Sequence, residues 1–308
     1  MTLPRYIGLV PPMVSPLQGP DALDIPGLER LVEHLITGGS AGLFVLGTTG
    51  EGPSLSYRLR RELVERTCRQ AAGRAPVLVG ITDTALAESL ALARHAAECG
   101  ADAVVAAPPY YLPEAQPELL DWLDDLVPAL PLPLMLYNMP ALTKVHIDAD
   151  TVRRAADYPQ IIGIKDSSGD LAYFRDILEI RAARPDWSFL CGSEEKLAEA
   201  TAMGGHGGVC GGGNVFPRLY AAFSQAAERG EAAAIQPLQN QVLRVSAELY
   251  GVGRHASRII KGIKCALSCL GICSDLMAPP FRAFREPERL RIEEGLARLQ
   301  AEIAALTL

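Results

Sequence analysis

No stretch of this 308-residue chain holds the roughly 20 consecutive apolar residues that a membrane span requires, so its hydrophobic residues are expected to build a core. Residues 1–6 lack a basic region leading into a long apolar run, and no signal peptide is read there. The seven cysteines are an odd number, with no CxxC and no finger-like Cys/His spacing. That pattern reads as reduced thiols in a cytoplasmic protein. Positive charge is in deficit as well, since the formal net charge of −7 argues against a general nucleic-acid binder. No low-complexity tract or close repeat interrupts the chain. The expectation is a soluble protein with no nucleic-acid or membrane partner.

What is present is a globular mixture, 49% hydrophobic and 21% charged, long enough to bury a core without staples. Short apolar strand candidates at 8–14, 42–46, 77–80, 103–107, 134–137, 161–165, 188–191 and 208–210 alternate with helical patterns. Those patterns fall at 26–36, 57–72, 86–99, 117–126, 149–156, 171–184, 194–203 and 217–228. Asp24, Ser56, Asp148, Asp170 and Ser193 are the expected N-caps, and Gly38, Gly73 and Gly100 the expected stops. Eight strand–helix units are the count of an α/β protein with a (β/α)8 TIM barrel. A doubly wound sheet is the alternative, but such folds often announce a GxGxxG loop after the first strand. Here Pro16-Leu17-Gln18-Gly19-Pro20 stands in that place. Strand signals end near Gly230, and helices are expected at 231–249, 257–270 and 286–305. The chain therefore reads as a catalytic barrel over 1–229 and a helical extension over 230–308, packed on the barrel.

In such a barrel the working residues sit at the carboxyl ends of the strands. The run Ile161-Ile162-Gly163-Ile164-Lys165-Asp166 places a lysine where a buried parallel strand stops. Lysine is almost never buried unpaired, and desolvation favours its neutral form, a nucleophile able to form a Schiff base with a ketone. Taken alone, the same residue could simply begin a solvated loop.

Other strand ends add to the set. Gly47-Thr48-Thr49-Gly50-Glu51-Gly52 offers hydroxyls and backbone N–H groups suited to a small carboxylate, or serves as an ordinary tight turn. Tyr110, Tyr111 and Tyr137 lie near one rim, and a phenol there can act as general acid or base. The run from Gly204 to Asn214 contains no Lys or Arg, which favours close backbone approach over a phosphate cradle.

Taken together, Gly47-Thr48-Thr49-Gly50-Glu51, Tyr110-Tyr111, Tyr137-Asn138-x-Pro140, Gly163-x-Lys165 and Gly204-Gly205-His206-Gly207 resemble the dihydrodipicolinate synthase/N-acetylneuraminate lyase superfamily over essentially the whole chain. The resemblance implies a class I, metal-independent lyase that handles pyruvate or another 2-oxo acid, needs no cofactor, and is typically a homotetramer. It implies that Lys165 forms the imine, that Tyr137 is the general acid/base, and that Thr48 links Tyr137 to Tyr111 of a neighbouring subunit. Thr49, with backbone N–H groups of the Gly47 turn, would hold the carboxylate, and Val209 would line the site through its carbonyl.

Within the superfamily, dihydrodipicolinate synthases usually carry an arginine where this chain has Leu142. The stretch Pro140-Ala141-Leu142-Thr143 looks more like sialic acid lyases and 2-keto-3-deoxy sugar-acid aldolases. Gly211 stands where sialic acid lyases tend to have serine, so a sugar acid other than sialic acid is expected. Ser167, Glu194 and Glu195 are the expected partners of its hydroxyl groups, and Lys144 is a partial substitute for the missing arginine. The alternatives are 4-hydroxy-tetrahydrodipicolinate synthase, a 2-keto-3-deoxy acid dehydratase, and a non-catalytic 2-oxo acid sensor. His206 reads as structural, and Cys265, Cys269 and Cys273, four residues apart, as core thiols on one helix face.

Overall fold

The computed structural model describes residues 6–306; residues 1–5, on which part of the signal-peptide reading rests, lie outside them. Eight parallel strands follow one another: β1 (Gly8–Leu9), β2 (Leu43–Val45), β3 (Val77–Gly80), β4 (Ala103–Ala106), β5 (Leu134–Asn138), β6 (Ile161–Asp166), β7 (Ser188–Cys191) and β8 (Gly207–Gly208). β8 pairs with β1, and the ring closes where Phe44 donates to Pro11 O at 3.0 Å and Met13 donates to Phe44 O at 2.8 Å. The result is a (β/α)8 TIM barrel. β1 is shorter than its apolar run suggests because Pro11 and Pro12 have no N–H to continue the ladder.

A helix returns the chain after each strand: α1 (Ile25–Thr37), α2 (Tyr57–Ala71), α3 (Leu86–Glu98), α4 (Gln116–Leu126), α5 (Ala149–Ala155), α6 (Leu171–Leu178), α7 (Leu197–Ala202) and α8 (Pro217–Arg229). Asp24, Ser56 and Asp170 cap their helices through side-chain oxygens. Asp148 and Ser193 accept no such bond. α2 stops on Ala72 in the left-handed region, one residue before the expected Gly73.

The strands separate two apolar layers. Val10, Phe44, Leu78, Val105, Met135, Ile162, Leu190 and Val209 fill the lumen with Tyr137. A larger cluster, including Val45, Val79, Val104, Leu136 and Ile164, packs between strands and helices. The alternation expected of strands holds in β5, where Met135 and Tyr137 face inward. In β6 it breaks, because Ile162 and Lys165 are three residues apart and both reach the lumen side. The register shows why: Leu134 pairs with Ile161 but Met135 pairs with Gly163, a β-bulge that inserts one residue.

Beyond α8 the chain is helical: α9 (Ala232–Val245), α10 (Arg258–Cys269) and α11 (Glu286–Ala304). A π-helical turn, Ser246–Tyr250, extends α9 toward the barrel. These helices share the outer apolar cluster through Val242, Leu249, Ile263 and Ile292. Cys265 and Cys273 are buried and Cys269 is half-buried, with burial raising the first two thiols to about 12. α10 ends at Cys269, so Cys273 lies beyond it and the three do not share one helix face. No helix of the described residues is long and apolar enough to cross a membrane.

Candidate active site

The bulge in β6 puts Lys165 beside Tyr137. The two residues are register partners on neighbouring strands, and the Lys165 ammonium lies 3.7 Å from the centroid of the Tyr137 ring and 5.2 Å from that of Phe44. Lys165 is only 5% exposed and has no carboxylate partner among the described residues. The aromatic faces supply the electrostatic stabilisation that a carboxylate would otherwise give. Asn138 and Asp166, the next residues along, face the other way, and Asn138 Nδ2 donates to Asp166 Oδ1 at 2.8 Å. This bond ties β5 to β6 outside the lumen and keeps their inward residues in step.

The Tyr137 hydroxyl meets Thr48 Oγ1 at 3.2 Å. Burial alone would raise its pKa, but the positive Lys165 and hydrogen bonds from Thr48, Lys165 and Ser167 outweigh burial and lower it below 10.0. A phenol shifted downward loses and regains its proton more readily near neutral pH. Ser167 therefore joins this cluster.

The Gly47–Gly52 turn that carries Thr48 and Thr49 is held from outside the barrel. Glu51 is buried, with a left-handed φ of 56°. Its Oε1 accepts from Lys264 Nζ at 2.7 Å, its Oε2 accepts from Ala278 N at 2.8 Å, and Lys264 also donates to Ser15 O at 2.9 Å. A fully buried ion pair thus fixes the turn to α10. Glu51 and Lys264 are 213 residues apart, so no local pattern reveals their partnership. Only the glycine in the β6 pattern could have signalled the bulge.

A cavity of about 160 Å³ opens on Tyr137 and Thr48. Gly47, Thr82, Tyr110, Met139, Leu142 and Thr143 contribute to its wall, and none of its lining residues is charged. Leu142 stands at this wall, 52% exposed. Lys144 does not substitute for a cation there, because its Nζ donates to Ala141 O at 2.7 Å on the surface. Thr49 is half-buried in the same turn, and Val209 is buried in the lumen with its N–H bonded to Cys191 O.

The structure corrects two expectations about hydroxyl binding. Glu194 is buried and already engaged: Tyr220 Oη and Tyr250 Oη donate to its Oε1 at 2.6 and 2.9 Å, and Gly212 N donates to Oε2 at 3.1 Å. Burial raises its pKa to about 7 against the lowering effect of those bonds. Glu195 Oε1 accepts from Ser246 Oγ of the π-helical turn at 2.8 Å. Neither residue lines the cavity, because both are spent joining the barrel rim to the C-terminal helices. Tyr111 does not line the cavity and is 90% exposed with a left-handed φ of 87°. His206 is structural as expected: its Nδ1 accepts from Phe189 N at 3.0 Å, and burial lowers its pKa to about 4.

A lysine and a tyrosine are packed together near the carboxyl ends of β5 and β6, the end of a (β/α)8 barrel where barrel enzymes carry their working residues. The chain belongs to the dihydrodipicolinate synthetase family, whose model matches residues 5–299. A dihydrodipicolinate synthase structure from Bacteroides thetaiotaomicron is 51% identical, covers 97% of this chain and 100% of its own, and superposes with a TM-score of 0.93. The 4-hydroxy-tetrahydrodipicolinate synthase of Roseobacter denitrificans is 32% identical over 291 residues, 94% of this chain and 97% of the relative. Escherichia coli YagE, named a putative 2-dehydro-3-deoxy-D-gluconate aldolase, is 29% identical over 297 residues, 96% of this chain and 97% of the relative. The crystal structure of YagE in complex with pyruvate superposes with a TM-score of 0.90, covering 96% of this chain and 99% of that one. The relatives thus include proteins named as synthases and proteins named as sugar-acid aldolases.

Proposed function

We propose that this chain is a class I aldolase that cleaves a 2-keto-3-deoxy sugar acid to pyruvate and an aldehyde through an imine on Lys165. The amine adds to the C2 carbonyl and water leaves. Tyr137, as phenolate, takes the proton of the C4 hydroxyl while the C3–C4 bond breaks. The bonding electrons pass into the iminium to give an enamine, and the aldehyde departs. Protonation at C3 and hydrolysis release pyruvate and restore the amine. Thr49 and the backbone of the Gly47 turn hold the carboxylate, and Val209 contributes its carbonyl. No metal or coenzyme is called on. The enzyme works in the cytoplasm as a homotetramer in which Tyr111 of a neighbouring subunit completes the Thr48–Tyr137 relay, which accounts for a tyrosine left exposed in a strained conformation.

The observation that carries the substrate class is the uncharged cavity lined by Tyr137, the register partner of Lys165, with Lys165 itself outside the lining. An aldehyde bearing its own carboxylate finds no counter-ion there, and a charge-assisted bond is worth roughly 1.5–3 kcal/mol. A polyol aldehyde finds Thr48, Thr82 and Tyr110 instead. The second reading, 4-hydroxy-tetrahydrodipicolinate synthase, is favoured by the 51% identity to the Bacteroides thetaiotaomicron protein.

The deciding experiment has two arms. Borohydride reduction with pyruvate should leave an adduct on Lys165, mapped by mass spectrometry; an adduct on Lys144 or Lys196, or none, overturns the imine. Turnover of a panel of 2-keto-3-deoxy acids, with pyruvate and dehydrated product measured separately, should exceed condensation of pyruvate with L-aspartate semialdehyde. Efficient condensation with no sugar-acid cleavage would establish the synthase.

A further inference from the structure

The C-terminal helical region carries a concavity of about 410 Å³ that shares no lining residue with the cavity at Tyr137. Arg254, His255, Arg258, Lys261, Arg282 and Arg285 line it, and Glu288 is its only carboxylate. Two segments form the walls: the loop entering α10, with the first turn of that helix, and the loop entering α11. Phe284 packs between them, with Lys261 Nζ 5.9 Å from its ring centroid and Gly253 close against the ring edge.

The cations here differ from their neighbours. Arg244 on α9 and Arg289 and Arg298 on α11 all pair with carboxylates: Arg244 with Glu248 and Glu302, Arg289 with Asp275 and Glu293, and Arg298 with Glu248. Among the described residues, Arg254, Arg258, Lys261, Arg282 and Arg285 form no ion pair. Five formal positive charges thus share one hollow in a chain whose net charge is −7. Like charges so placed repel, and a cleft of one sign concentrates counter-ions within it. Four of the five are arginines, whose planar forks match carboxylate and phosphate oxygens two at a time.

We propose that this hollow is a binding site for a small anion carrying two or more negative charges, a phosphate ester or a polycarboxylate, separate from the imine-forming site. Arg258 at the start of α10 and Arg282 in the facing loop grip the anion from opposite walls, and Lys261 meets it from the floor beside Phe284. Glu288 sets a lower limit on ligand charge, since a monoanion gains less from the cations while meeting the same repulsion.

Calorimetric titration of the full chain with sodium pyrophosphate and, separately, with citrate at fixed ionic strength tests the site. One saturable site per chain is expected for at least one of the two, and the stronger arm identifies phosphate or carboxylate as the preferred group. Arg258→Ala with Arg282→Ala should weaken binding by roughly a hundredfold, whereas Glu288→Gln should tighten it, a gain that misfolding cannot imitate. Absence of saturable binding in both arms overturns the proposal, as does unchanged affinity in the double variant. A double variant that alters oligomeric mass in light scattering yet binds the anions normally would assign the hollow to subunit contact instead. Borohydride labelling of Lys165 in the same samples reports on the aldolase reading independently, since anion binding does not depend on the imine.

Discussion

Gly163 lies against the backbone of Ser188 so closely that a Cβ on it would stand 2.0 Å from the Ser188 carbonyl oxygen. Its φ of 150° is open to glycine and rarely adopted by other residues. This contact allows the bulge in β6, and the bulge turns Lys165 into the lumen after Ile162 has already pointed there. Without the inserted residue, strict alternation would send Lys165 to the helix side of the sheet, away from Tyr137.

Gly163→Ala should therefore remove the imine chemistry as well as stability. The strained backbone alone costs about 1–3 kcal/mol, and relief of the clash would shift β6 against β7. Borohydride labelling with pyruvate should fall sharply even in the fraction that remains folded by circular dichroism. Wild-type labelling in the variant would show that Lys165 reaches the lumen without the bulge.

Tyr137→Phe keeps the ring that packs on Lys165 and deletes the proton carrier. Turnover should fall by roughly 10²–10⁴-fold, while pyruvate still forms a reducible adduct. In the wild-type protein, cleavage needs the phenolate, so the rate should rise with pH through the lowered Tyr137 pKa, below the ordinary value of 10.0. That limb of the profile should be missing from the variant. A rate profile identical in both proteins would remove Tyr137 from proton transfer.

Lys264→Met tests the clamp on the substrate turn. Removing one partner of a buried ion pair leaves the Glu51 carboxylate uncompensated, at a cost of about 3–5 kcal/mol. Denaturant unfolding should show that loss. In the folded fraction KM for the 2-oxo acid should rise more than kcat falls, because the turn binds the carboxylate and the imine pair is untouched. The double variant Glu51→Gln, Lys264→Met should recover part of the stability.

Glu194 gives stability a pH dependence of defined sign. Its folded pKa of about 7 lies above the ordinary 4.5, so the folded chain holds this proton over a range where the unfolded chain has released it. Its contribution is full below about 4.5 and is lost as pH rises toward 7. Unfolding in urea at pH 5 and pH 8 should show the decline. Glu194→Gln, which can still accept from Tyr220 and Tyr250, should flatten it. An equal slope in both proteins would place the dependence elsewhere.

The repeated alternation of short apolar runs with amphipathic segments determined the eight strand–helix units, because a parallel strand buried on both faces and a helix with one buried stripe leave distinct local periods. Closure into a barrel was decided by the tertiary pairing of β8 with β1. β3 and β7 were legible to the residue. The sequence likewise marked Lys165, Tyr137 and Thr48, since each stands where a strand ends and its residue type carries the chemistry. Tertiary structure decided the rest. The periodicity of β6 cannot show a bulge, because the extra residue is visible only against the neighbouring strand's register. The bond between Glu51 and Lys264 joins residues 213 positions apart, and no local pattern records it. Glu194 and Glu195 have the composition of hydroxyl-binding residues, yet α8 supplies Tyr220 and the π-helical turn of the C-terminal region supplies Tyr250 and Ser246 as their partners. A carboxylate's role depends on which donors reach it first, and only the folded chain brings those donors together.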